Sequence, residues 1–152
     1  MKVAFDIDGV ILDIDLGLIR TIDFIEDENK RAEASLFYYI LRRPQINPYD
    51  YIHEDDELYI ITGRDEKYRD ITEKWAKKYF PNAKLIILGH EEPTPETKLE
   101  GWFIRQAKKK AIALIQNGID IYFEDTPPVV REMRKMLPPT IKVIQYGGRF
   151  DF

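Results

Sequence analysis

The chain has 152 residues, 27 acidic against 23 basic side chains, a formal charge of −4, 44% hydrophobic content and no cysteine. That length and composition predict one domain, residues 1–152, with enough chain to bury a full core; the missing cysteines exclude disulfides, thiolate nucleophiles and cysteine-ligated zinc, and the acidic balance argues against indiscriminate coating of nucleic acid. A cytoplasmic location is expected, because Met1-Lys2-Val3-Ala4-Phe5 reaches an aspartate before an apolar leader can form, and no run approaches the roughly 20 residues of a membrane span.

In chain order, Val3–Ile7 reads as a first strand running into Asp6-Ile7-Asp8-Gly9-Val10. Leu16–Arg43 follows as a helix or helical hairpin with charged faces, and Pro44–Asp56 as a Pro/Tyr/Asp loop. Residues 14–56 therefore form a small insert, either a lid beside the strand tips or a crossover helix with a long loop. Leu58–Ile61 is the second strand and leads into Thr62-Gly63-Arg64. A helix over Glu66–Phe80 carries Tyr68, Ile71, Trp75 and Tyr79 at helical spacing. Lys84–Leu88 is the third strand. Lys98–Asn117 places Ile104, Ala107, Ala111, Ile112 and Ile115 on one stripe before Gly118 stops it. Ile119–Phe123 is the fourth strand, ending in Glu124-Asp125. Pro127-Pro128 opens a last helix through Met136, and Ile141–Gln145 is the fifth strand. Alternating strands and helices predict an α/β fold, a Rossmann-like three-layer α/β/α arrangement with a parallel sheet of about five strands and a small helical insert after the first.

Polar chemistry gathers at the predicted strand tips. Positions two apart on a strand project the same way, so Asp6 and Asp8 are expected side by side at the carboxyl end, where open α/β sheets bind ligands. Two forced carboxylates suit a hard cation, or a division of labour between nucleophile and proton carrier; an Asx-rich turn with Gly9 is the plain alternative. Thr62, the Gly63 amide and Arg64 suit a phosphate. Arg64 grips a second phosphate or the substrate backbone, or else pairs with an acid such as Asp65. Glu124 and Asp125 complete an oxygen-rich pocket suited to Mg²⁺. In the run Lys108-Lys109-Lys110, Lys108 shares the stripe of Ala111, Ile112 and Ile115 and is expected to face the sheet, the other two rotating away. Ser35 is the only serine and His53 and His90 the only histidines, which argues against serine–histidine hydrolysis and a histidine-built zinc site. Oligomeric state is not legible, although Phe37, Tyr38 and Tyr39 would suit an interface.

Taken in order, Asp6-Ile7-Asp8-Gly9-Val10, Thr62, Lys108 and Glu124-Asp125 resemble the four motifs of the haloacid dehalogenase-like phosphohydrolases, across nearly the whole chain. Glu124 departs from that family's commoner Gly-Asp or Asp-Asp pair, which leaves Asp125 as the metal ligand. Ile46-Asn47-Pro48, Thr62-Gly63-Arg64-Asp65-Glu66 with Trp75 downstream, and the ending Gln145 to Phe152 are most similar to the phosphatase domain of bacteriophage-type polynucleotide kinase-phosphatase. No Gly-x-x-x-x-Gly-Lys-Ser/Thr loop stands in the sequence, so no kinase is implied. The resemblance implies Mg²⁺-dependent phosphomonoester hydrolysis through an aspartyl-phosphate. Asp6 is then the nucleophile and Asp8 the general acid and base. Mg²⁺ falls to Asp6, Asp125 and the Asp8 carbonyl, and the phosphate oxygens to Thr62, Gly63 and Lys108. The implied substrate is a phosphorylated nucleotide or nucleic-acid end, with 3′-phosphate ends foremost. A mononucleotidase or other small-molecule phosphatase, and a non-catalytic metal-binding relative, are the alternatives.

Overall fold

Five strands form one parallel sheet: β1 (Lys2–Phe5), β2 (Glu57–Thr62), β3 (Lys84–Ile87), β4 (Ile121–Glu124) and β5 (Lys142–Gln145), in the order β3-β2-β1-β4-β5. The computed structural model describes residues 1–12, 21–22, 24–40, 42–89 and 99–147, with side chains at all of these except 36–40 and 99–100. The strands read as near-continuous apolar runs because a parallel sheet covered by helices is buried on both faces. β1 is central, and its neighbours β2 and β4 carry the other polar tips. Connections that leave and return to the sheet thus bring residues distant in sequence to one edge.

Between the strands run α1 (Glu28–Ile40), α2 (Arg69–Tyr79), α3 (Leu99–Asn117) and α4 (Pro127–Met136). The predicted helix over Glu66–Phe80 begins as a 3₁₀ turn, Glu66–Tyr68, because the Asp65 side chain caps it by accepting from the Lys67 amide at 3.0 Å. α4 starts on a proline pair, whose fixed φ and missing N–H suit a first turn. Gly118, at φ +64°, releases the chain from α3 toward β4.

Side-chain alternation divides the core into two halves. Ala4, Tyr59, Ile61 and Tyr122 face Phe103, Ala107 and Leu114 of α3 and Val129, Val130 and Met133 of α4. Val3, Phe5, Leu58 and Ile60 face Trp75 and Ala76 of α2, Phe80, and the segment Val10 to Leu12. The result is the expected three-layer α/β/α architecture. α1 packs on α2, the Trp75 indole donates to the Arg42 carbonyl at 2.9 Å, and the Gln45 amide to Ile11 at 2.8 Å. Thus the described part of the 14–56 stretch is tied to the outer helical layer; residues 14–20, 23 and 41 lie outside the described residues, as does His90. No described helix is long and apolar enough to cross a membrane.

The phase of α3 differs from the reading of its isoleucines. Ile104, Ile112 and Ile115 are 39%, 44% and 54% exposed, whereas Phe103, Gln106, Ala107, Lys110, Ala111 and Leu114 are buried. The buried residues follow the i, i+3, i+4, i+7 rhythm of one helix face. Alanines occupy that face because α3 packs against both the sheet and its neighbour α4, where bulky residues at every turn would hold the elements apart.

Candidate active site

The site is set by strand register. β1 and β4 pair with Phe5 opposite Phe123, so the next residues, Asp6 and Glu124, stand side by side as the strands end. The Asp6 amide donates to the Phe123 carbonyl at 3.1 Å, continuing the ladder one step beyond β1. Asp125 follows at once. One ligand oxygen each of Asp6, Glu124 and Asp125 lies within 4.8 Å of the others, and all three residues are buried.

Lys110 of α3 enters this cluster. Its Nζ donates to Glu124 Oε2 at 2.5 Å and to Asp6 Oδ2 at 3.3 Å. The expectation for Lys108 is therefore corrected: Lys108 is exposed on the side of Ile104 and Ile112, and Lys110 is the lysine of the site. Seven residues separate Lys110 from Phe103 and three from Ala107, which puts it on the buried face. Had the small and aromatic residues, rather than the isoleucines, defined the stripe, the sequence would have pointed to Lys110.

Glu124 is the organiser. Its Oε2 also accepts from the Tyr122 hydroxyl at 3.0 Å, and its Oε1 from the Asp125 and Thr126 amides at 3.1 and 3.2 Å. Burial works against the Glu124 charge, but the Lys110 ammonium and these hydrogen bonds outweigh it and hold the carboxyl below its ordinary range. Burial likewise opposes the Lys110 charge, and Asp6 and Glu124 overcome it and hold the amine above the usual lysine range. Tyr122 is pushed up by burial and by the same two acids.

Asp6 and Asp125 are less well compensated. Burial raises Asp6 well above its ordinary value; Lys110 offsets part of this, and the charges of Glu124, Asp125 and Asp8 add to it. Asp125 is pushed up to about 8, first by burial and then by the charge of Glu124. Three carboxylates facing one ammonium leave a formal deficit of two positive charges, and the donors are all hard oxygens. Because Glu124 already accepts four hydrogen bonds, against two at Asp6 and one at Asp125, Asp6 and Asp125 are the pair that fits a divalent cation such as Mg²⁺.

Asp8 is not among the three converging acids. β1 ends at Phe5 and Gly9 turns the chain at φ +92°; between them Ile7 keeps to the α2-side core with Val3 and Phe5, and Asp8 stands at the start of the turn. Its carboxylate instead accepts two hydrogen bonds from Arg64, Nε to Oδ2 at 2.8 Å and Nη2 to Oδ1 at 2.9 Å. Arg64 therefore pairs with Asp8, not Asp65, and its Nη1 is anchored on the Thr72 hydroxyl of α2 at 3.2 Å. The Arg64 side chain is 3% exposed and that of Asp8 29%, which leaves Asp8 at the mouth of the site.

Thr62 ends β2, with its Oγ1 accepting from the Arg64 amide at 3.2 Å, and Gly63 follows. A Cβ on Gly63 would lie 3.1 Å from Gln106 Oε1, so α3 reaches across to this turn as well. Gly9 is more tightly confined: a Cβ there would lie 1.9 Å from Asp125 Oδ2, and one on Gly147 would lie 2.9 Å from the Gly9 carbonyl oxygen. The fold brings Asp6, Asp8, Thr62, Gly63, Arg64, Glu124 and Asp125 to the carboxyl end of the sheet, leaves Lys108 outside, and adds Lys110, Tyr122 and Gln106. His53 is exposed and takes no part.

No model of a known protein family matches the chain, and no curated protein does. Solved structures do. A chain of the Pnkp1/Rnl/Hen1 RNA repair complex aligns with a TM-score of 0.58 at 17% identity over 98% of this chain and 43% of its own length. A second structure of the Pnkp1/Rnl/Hen1 complex aligns at 0.57 and 17% over 98% and 47%. The present chain thus spans less than half the length of those it matches there. A haloacid dehalogenase-superfamily hydrolase of subfamily IA, from Geobacter sulfurreducens PCA, aligns with a TM-score of 0.54 at 12% identity over 99% of this chain and 88% of its own. With these likenesses resting on shape, the parallel sheet and its acidic strand tips have the haloacid dehalogenase-like fold.

Proposed function

We propose that this chain is a Mg²⁺-dependent phosphomonoester hydrolase working through an aspartyl-phosphate. The observation that carries the reading is the convergence of Asp6, Glu124 and Asp125 around Lys110 at the carboxyl ends of β1 and β4. Asp6 attacks phosphorus, forming the Oδ–P bond as the bond to the leaving oxygen breaks, and Asp8 delivers a proton to that oxygen. Water then attacks the Asp6-bound phosphoryl group and gives a proton to Asp8, which frees phosphate and restores Asp6. Arg64 fixes the Asp8 carboxylate in one orientation throughout, a positioning role for which a two-pronged guanidinium is suited.

Asp6 and Asp125, with the Asp8 backbone carbonyl, would hold Mg²⁺, which when bound offsets the repulsion between an anionic nucleophile and an anionic phosphate. Thr62, the Gly63 amide and Lys110 bind the phosphoryl oxygens. Glu124 holds Lys110 on the Asp6 side and is neither nucleophile nor proton carrier. Residues 14–56 act as a small cap-like insert of a single unit spanning 1–152. So small a cap leaves room for substrates that protrude, which favours a 3′-phosphorylated nucleic-acid end. The likeness to a chain of an RNA repair complex supports the same substrate class.

Phosphate release from a 3′-phosphorylated oligonucleotide and from matched mononucleotides, with Mg²⁺ and with chelator, tests this, Asp6→Asn serving as the blank. The expected result is Mg²⁺-dependent release, faster from the oligonucleotide and absent in Asp6→Asn. Faster release from mononucleotides would make the chain a nucleotidase. No Asp6-dependent release from either would overturn the enzymatic reading.

A further inference from the structure

We infer that Gln106 is a further phosphate-binding residue, its side-chain Nε2 donating to a phosphoryl oxygen seated at the Thr62–Gly63 turn; the inference rests on the phosphatase reading above. Gln106 stands on the buried face of α3 one helical turn before Lys110 and is 4% exposed. Its Oε1 lies 3.1 Å from where a Cβ on Gly63 would be, so the amide head rests on the glycine that follows Thr62. The Nε2, with two N–H donors, has no hydrogen-bond partner among the described residues. Buried donors are nearly always satisfied, and one that is not calls for something that arrives to meet it.

The surrounding groups explain why that something is a phosphate oxygen. Lys110 gives two of its three donors to Asp6 and Glu124 and keeps one for phosphate, while Tyr122 is held by Glu124 and Arg64 by Asp8 and Thr72. A charged donor at position 106 would be drawn to the same carboxylates, whereas a neutral amide stays available when the site is empty. Phosphoryl oxygens only accept hydrogen bonds, and the two donors of Gln106 sit on the other arm of the amide head whose Oε1 meets the backbone turn at which they are to bind. Glycine at 63 keeps this arrangement possible, since any larger residue would push against the amide.

The test is Gln106→Met, which keeps the length of the side chain and removes its hydrogen-bonding groups. Steady-state kinetics on the 3′-phosphorylated oligonucleotide, calorimetric titration with inorganic phosphate in the presence of Mg²⁺, and Tm are measured for parent and variant. Losing a hydrogen bond to a charged ligand predicts a fall of about tenfold or more in kcat/KM and in phosphate affinity. The Tm should hold or rise, because an unmet buried amide has been removed. A residue with only a packing role would give the reverse: altered Tm with kinetics and phosphate affinity within twofold of the parent, and that would overturn the inference. Gln106→Glu, which brings a negative charge to the same place, should weaken phosphate binding further and carries the same test if the methionine variant does not fold. If the parent binds phosphate but hydrolyses nothing, the phosphatase reading fails alone and the titrations still decide on Gln106. A parent that binds no phosphate would overturn both.

Discussion

Gly9 sits where the turn after β1, the acidic tip of β4 and the turn after β5 meet. It occupies the left-handed region at φ +92° with Asp125 and Gly147 against it. Alanine would meet two obstacles at once: a backbone conformation costing roughly 1–2 kcal/mol for an L-residue, and a Cβ placed 1.9 Å from Asp125 Oδ2. Asp125 would have to move out of the cluster. Gly9→Ala is therefore expected to lower Tm by several degrees and to reduce Mg²⁺-dependent activity at least a hundredfold, with the loss only partly recovered by raising Mg²⁺. Thermal melting and a Mg²⁺ titration of the rate check it, and full activity at ordinary Mg²⁺ would show that the turn tolerates a side chain. At this scale the sequence showed the residue types but not all the partners. Asp6, Asp125, Thr62 and Gly63 stand where spacing put them, because each lies at or just past the end of a strand whose apolar run is unmistakable. The Asp8–Arg64 pair was not legible, since it depends on where β1 stops and the chain turns, and a pairing across two strands leaves no local pattern. Gln106 was invisible for a related reason: an amide on a helix has no signature until the facing glycine is known.

The informative element is α3. Its outward isoleucines carry the strongest apolar signal, while its inward face is built from Phe103, Ala107, Ala111 and Leu114 with Gln106 and Lys110 among them. Reading the isoleucines as core turned the helix and brought Lys108 forward in place of Lys110. The two lysines now make opposite predictions. Lys110→Met removes the partner of Asp6 and Glu124 and leaves buried carboxylates uncompensated, a change that typically costs about 3–5 kcal/mol; a marked fall in Tm and loss of activity are expected. Lys108→Met alters an exposed position and should keep stability within about 0.5 kcal/mol, with activity near that of the parent. Denaturant melts and phosphate release on the two variants decide between the phases. Equal, mild effects would mean that Lys110 does not reach the acids. The strands, by contrast, were legible to within one or two residues, because parallel pairing buries both faces and leaves continuous apolar runs between turns. Their ends moved where backbone pairing, which no side-chain pattern records, extended or stopped the ladder, as at Glu124 and Phe5.

On the scale of the molecule, folding gathers three carboxylates at the carboxyl end of the sheet around one lysine, and stability is therefore expected to depend on pH and, on the proposed reading, on a cation together. Asp6 and Asp125 both have folded values above those of free carboxyl groups, Asp125 reaching about 8 from 3.8. Between those two values the unfolded chain has released the Asp125 proton while the folded chain retains it. The folded state then binds more protons, so without metal its stability falls as pH rises through this window, and the loss is complete once pH exceeds about 8. Glu124 has the opposite sign, but its depressed value confines its effect to pH below 4.5, and Lys110, raised above 10.5, loses its contribution only in stronger base. A scan from pH 5 to 8.5 thus follows the two uncompensated acids, the Met1 amine, held above its ordinary 8.0 by Asp56, adding a loss of the same sign only at the alkaline end. In chelator, Tm should drop across the scan by several degrees, at roughly 2–4 °C per kcal/mol for a chain of this size. Mg²⁺ competes with the protons on Asp6 and Asp125, so its stabilisation should be small at pH 5 and grow toward pH 8.5, approaching about 2.7 kcal/mol at a hundredfold excess over Kd. Asp125→Asn should flatten the chelator curve and abolish most of the Mg²⁺ gain, because it removes the charge that both respond to. A Tm that rises with pH in chelator, or a Mg²⁺ gain independent of pH, would show that the acidic cluster is compensated by the protein alone and has no need of a cation.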